Sequence, residues 1–175
     1  MSGVLRNLLG CLALGAGLVH VALVIGSPPP VAAVLLVVGA AEFVWGAFTI
    51  ARPAPPVPQF ARAAAFGPVI GWALLLVIAG ADSLGPLTSS TRLLPMLVAS
   101  LFDLLVAGGL TAMLRRAAAP SRPAADPVPL TGRRLVAVIV GALLIAAITA
   151  PALAATEAGQ LAGTPGTSFV DPHDH

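Results

Sequence analysis

The sequence predicts an all-α polytopic helical membrane protein: five transmembrane helices, N-terminus inside, C-terminus outside, and a disordered external tail. Three observations predict it. Five apolar stretches of about 20 residues divide the chain, the length a helix needs to cross ~30 Å of hydrocarbon. The 175 residues are 58% hydrophobic and only 9% charged, with a mean hydropathy of +0.98. A soluble domain of that composition has too little polar surface to cover its apolar atoms. Finally, arginine alternates between loops on the two sides.

The first span is Val4–Ile25 (residues 4–25), with Arg6 near its start. Leu8-Leu9-Gly10-Cys11 resembles the box before a lipid-modified cysteine, but the apolar run ahead of it is too short for a signal peptide. Cys11 therefore reads as a small apolar residue, and a lone cysteine forms no intramolecular disulfide. Ser27-Pro28-Pro29-Pro30 is a tight external turn into the second span, Val31–Ile50 (31–50). Arg52 and Pro53-Ala54-Pro55-Pro56-Val57-Pro58 make an extended internal connector, because successive prolines forbid helix. Spans three and four are Ala63–Ala81 (63–81) and Leu93–Leu114 (93–114), with Pro68 and Pro95 near their starts, where proline is tolerated. The Arg- and Pro-rich stretch Arg115–Arg134 is a flexible internal linker to the fifth span, Leu135–Ala155 (135–155). There Arg133-Arg134 and Pro151-Ala152-Leu153-Ala154 are laid out like a signal peptide with its cleavage site. A helix that stops at Pro151 on reaching the interface is the favoured reading. Residues 1–155 thus form one membrane domain and 156–175 a flexible external tail.

Eight of the nine basic residues, all arginine, fall on one side: Arg6, Arg52, Arg62, Arg115, Arg116, Arg122, Arg133 and Arg134. Arg92 alone falls on the other. The positive-inside rule makes the Arg-rich side cytoplasmic, so the chain is expected in the plasma membrane, multi-pass, with an extracytoplasmic C-terminus. The arginine-only basic set, beside abundant Ala, Gly, Pro and Val, suggests a GC-rich bacterial coding bias. The arginine loops are expected against anionic lipid heads, each contributing ~1 kcal/mol at most. With the charge accounted for by topology, the pI near 10 gives no reason to expect nucleic acid as a partner.

Glu42 and Asp103 lie near the centres of spans two and four, where a charge costs at least ~2.5–3.5 kcal/mol. Each sits on a face of small residues: Gly39, Glu42 and Gly46 in one span, Ala99, Asp103 and Ala107 in the other. Gly10, Ala13, Gly17 and His20 make a matching face in span one. Such faces are where membrane helices approach closely, so both acids and His20 point into the bundle, with Ser100 near Asp103. Two functions follow. In the first, preferred reading, the cluster is a satisfied hydrogen-bond network that fixes packing or meets a protein partner or second copy. The protein is then an interaction or accessory subunit of the cell envelope. In the second, Glu42, Asp103 and His20 serve a proton- or metal-ion-linked transporter, with His20 on the outer side.

Asp171, His173, Asp174 and His175 could chelate Zn²⁺, Cu²⁺ or Ni²⁺ weakly outside the membrane, since His and Asp supply borderline and hard ligands. No other cofactor is expected. The sequence has no phosphate-binding glycine loop, nucleophile–histidine arrangement or paired-histidine motif, so no enzyme activity is expected.

Overall fold

The computed structural model describes residues 3–79, 90–119 and 132–163. All regular structure among them is helical: α1 (Gly3–Ala22), α2 (Pro29–Ala51), α3 (Pro58–Ala64), α4 (Phe66–Ala79), α5 (Ser90–Ala118), α6 (Gly132–Ala154) and α7 (Glu157–Gly163). Four helices are long and apolar enough to cross a membrane: Gly3–Ala22, Pro29–Ala51, Leu93–Ala118 and Leu135–Ala154. They include the expected spans one, two, four and five, with ends shifted by a few residues.

Helix α1 is central and packs on α2, α5 and α6. It can do so because small residues are buried on several of its sides: Gly10, Ala13, Gly15, Ala16 and Gly17. Against α2 the backbones touch at two levels. A Cβ on Gly17 would stand 2.6 Å from the Gly39 carbonyl oxygen, and one on Gly46 would stand 2.8 Å from that of Gly10. The pairs 10/46 and 17/39 run in opposite order, so the helices are antiparallel. Hydrocarbon supplies no hydrophobic force between helices, and close glycine contact lets dispersion replace it.

On its other sides α1 buries Leu9 and Ala13 with Val106, Ala107 and Leu110 of α5, and Val19 and Leu23 with Met96 and Ala99. This order makes α5 antiparallel to α1 as well. Gly15 lies against Phe102 and Thr149, and Gly141 against Leu8, so α6 runs parallel to α1. Thr149 and Thr111 satisfy their hydroxyls by donating to the carbonyls of Ile145 and Ala107 four residues back, at 2.8 and 2.7 Å. The outer faces are apolar: Val34 and Val37 of α2 and Leu143 and Leu144 of α6 are exposed, as helices facing lipid require.

Helices α2 and α5 run the same way, so α2 ends at the opposite end of the bundle from where α5 begins. The intervening chain travels back along the bundle, with α3 and α4 packed on α5. Here the structure departs from the single span expected over 63–81. A break at Ala65 separates α3 from α4, and the 14 described residues of α4 rise only about 21 Å. Pro68 explains the break. It has no N–H to give the Ala64 carbonyl, and its ring clashes there.

The connector before α3 is not straight polyproline. Val57 takes a left-handed conformation, φ 38°, and Trp45 Nε1 donates to the Pro56 carbonyl oxygen at 2.9 Å, which turns the chain under α2.

Two corrections concern the C-terminal side. Helix α6 does not stop at Pro151 but continues to Ala154, with Ala155 N donating to the Pro151 carbonyl at 3.0 Å. The segment expected as a flexible tail from residue 156 begins instead with α7. Thr156 is buried. Its hydroxyl donates to the Leu153 carbonyl at 2.6 Å and accepts from Gly159 N at 3.1 Å, an N-cap that satisfies one of the free donors of a helix start.

Candidate functional site

Two of the expected intramembrane residues meet directly. His20 Nδ1 and Glu42 Oε2 are 2.8 Å apart, linking α1 to α2. Their positions along the helix axes do not suggest it. From the Gly17/Gly39 crossing, His20 lies three residues onward in one direction and Glu42 three in the other, each displaced by about 4.5 Å. Helical side chains lean toward their own N-terminus, and these helices are antiparallel, so the two side chains lean toward each other and close the gap. The glycine crossing beneath them brings the backbones near enough.

Asp103 of α5 completes the group. One ligand-type atom from each of His20, Glu42 and Asp103 lies within 4.8 Å of the others. His20 is 1% and Asp103 2% exposed, while Glu42 is 16% exposed. Apolar contacts close α1 against α5 along the helices in both directions from Asp103: Leu9 and Leu110 on one side, Val19 and Met96 on the other.

The hydrogen bonding is incomplete. His20 Nε2 and Asp103 Oδ2 are buried with no partner. Groups at this depth without partners cost several kcal/mol by transfer to hydrocarbon-like surroundings, about 2–7 each. Thr49 Oγ1, Ser100 Oγ and Trp72 Nε1 are likewise buried without a partner. Ser100 does not join: its Oγ is buried and makes no hydrogen bond. Asp171, His173, Asp174 and His175 lie outside the described residues.

The three side chains sit on the wall of a cavity of about 760 Å³. Helices α2 and α4 face each other across it with almost no direct packing. Apart from the cluster and Ser27 the wall is mostly hydrocarbon and aromatic: Val34, Val38, Trp45, Phe60, Trp72 and Met96 are among its residues. Trp72 Nε1 is buried without a partner. Sequence reasoning reached the acids and the histidine through the small-residue faces. It missed the cavity.

At the end of the bundle where α2 and α5 finish, Arg62 and Arg115 line a shallow groove between α3 and α5, and the Arg52 guanidinium stacks 4.7 Å from the Phe48 ring centroid. Chemically, the central cluster can hold a proton, because two carboxyl groups this close share one readily, and it can receive a cation on Asp103 and the free His20 nitrogen. No protein family, curated protein or solved structure matches this chain.

Proposed function

We propose that this is a five-span protein of the plasma membrane, N-terminus inside and C-terminus outside, that moves protons or another cation through the His20–Glu42–Asp103 cluster. The observation that carries the proposal is the convergence of three ionisable side chains from three helices within 4.8 Å, on a cavity wall, with His20 Nε2 and Asp103 Oδ2 unpartnered. Intramembrane ionisable residues that line a cavity mark ion and proton paths.

This reading is chosen over the accessory-subunit one for a physical reason. Packing alone does not call for a cavity of about 760 Å³ beside three ionisable side chains, and the apolar outer faces of α2 and α6 are as well suited to lipid as to a partner helix. The fifth crossing is supported by the shared direction of α2 and α5, which requires the chain between them to return along the bundle. The orientation rests on the arginine distribution. Arg52, Arg62, Arg115 and Arg116, near the ends of α2, α3 and α5, then lie at the anionic headgroups.

The test uses purified protein in vesicles that enclose a pH-sensitive dye. Under an imposed proton gradient, Zn²⁺, small monovalent cations and lipophilic cations are supplied outside in turn. At least one class should drive dye response well above protein-free vesicles, and Glu42→Gln and Asp103→Asn should each remove most of it while the protein stays folded. No response with any of them would overturn the proposal.

A further inference from the structure

Resting on that reading, we infer that the cargo is a lipophilic monovalent cation, such as an arylphosphonium or quaternary ammonium ion, that enters from the bilayer between α2 and α4. The cavity itself makes the selection. At about 760 Å³ it falls within the ~300–1,000 Å³ of sites for drug-sized molecules, far beyond what a proton or bare ion requires. Its wall offers a dehydrated metal ion almost nothing outside the cluster. The cluster supplies three ligand groups, so a divalent metal there would need water for the rest of its four to eight positions. A cation that carries its own apolar shell needs no such ligands.

The charges fit that cargo. His20 Nδ1 occupies Glu42 Oε2, which leaves Asp103 Oδ2 as a buried oxygen without a partner. Trp45, Trp72 and Phe60 add aromatic faces, which attract cations more strongly when desolvated than when exposed. The titratable groups on the wall are His20 of α1, Glu42 of α2 and Asp103 of α5. Helix α4 and the stretch Leu135–Ala154 contain none, and Arg62 of α3 lines the separate groove beside α5. As the cation seats, one proton leaves the Glu42–Asp103 pair for water, so the net charge of the cavity stays constant. Entry is lateral, through the gap left where α2 and α4 barely pack against each other.

The experiment titrates the full-length protein in mild detergent with tetraphenylphosphonium, following fluorescence of the two tryptophans, both of which line the cavity. Saturable quenching is expected, with about one proton released per cation bound into weakly buffered solution. Asp103→Asn should weaken binding about 10–100-fold, the range for losing one contact to a charged group. Triphenylphosphine oxide, similar in shape and uncharged, should bind far more weakly to the unmodified protein, a comparison that needs no variant to fold. Equal binding of the uncharged compound, or quenching unchanged in Asp103→Asn, would reduce the cavity to a place for lipid tails and overturn the inference. Absence of phosphonium binding in protein that still moves protons with Zn²⁺ in vesicles would overturn the inference alone. Failure of both assays would remove the transport reading with it.

Discussion

Replacing Gly17 by alanine tests the packing that brings His20 to Glu42. The new methyl carbon would stand 2.6 Å from the Gly39 carbonyl oxygen and 2.9 Å from Phe43 N. That is about 1 Å inside the ~3.5 Å of ordinary contact. Both obstacles are backbone, so no side chain can swing aside and the helices must part. Overpacking of this kind costs ~1–3 kcal/mol. Alanine returns about 0.5–1 kcal/mol through its better helix propensity, leaving a net loss of roughly 0–2.5 kcal/mol, centred a little above 1. Gly39→Ala meets the reciprocal obstacle, the Gly17 oxygen at 2.8 Å. The double variant should cost less than the two singles added, since one separation relieves both. Gly108→Ala is the control. Nothing lies within 4 Å of its added carbon, so only the propensity gain remains and stability should rise slightly. Thermal unfolding in detergent, followed by tryptophan fluorescence, should put Gly17→Ala several degrees below the parent and Gly108→Ala at or above it. A midpoint for Gly17→Ala equal to that of Gly108→Ala would refute the close α1–α2 contact.

Three further outcomes are expected. Trp45→Phe removes the 2.9 Å bond to the Pro56 carbonyl, costing about 0.5–1.5 kcal/mol; hydrogen exchange at the Val57 amide should be faster in the variant, and an unchanged rate would show that the bond does not hold the connector. A reporter active only in the cytoplasm should work when fused after Arg122 and fail when fused after Gly166, whereas the opposite pattern or activity at both sites would contradict the orientation. Removing Asp171–His175 should eliminate nearly all Zn²⁺ or Cu²⁺ binding if those residues chelate metal, and unchanged stoichiometry would locate binding elsewhere.

Much of the bundle was legible because small residues recur with helical period. Gly10, Gly17, Gly39 and Gly46 marked the α1–α2 contact, and the faces they define carried His20 and Glu42 inward. The features that escaped have identifiable causes. Hydropathy averages over a window, so an apolar run from residue 63 read as one helix although Pro68 breaks its start. Helix α7 is short and weakly apolar, yet Thr156 followed by Glu157 is a recognisable cap with an acid in the first turn. Ser100 is one turn from Asp103 in sequence, but its hydroxyl bonds to nothing. The cavity left no local signature. It arises from the distance between α2 and α4, which no residue pattern in either helix encodes.

The central claim is that His20, Glu42 and Asp103 act as one cation-handling unit, and a double-mutant cycle on vesicle flux tests it most directly. His20→Gln, Asp103→Asn and the combined variant would be reconstituted at equal density, with folding checked by thermal midpoint. Groups that act as a unit are strongly non-additive, so each single variant should lose most of the flux and the double should be no worse than either. Independent, multiplying losses, or full flux in Asp103→Asn, would contradict the account.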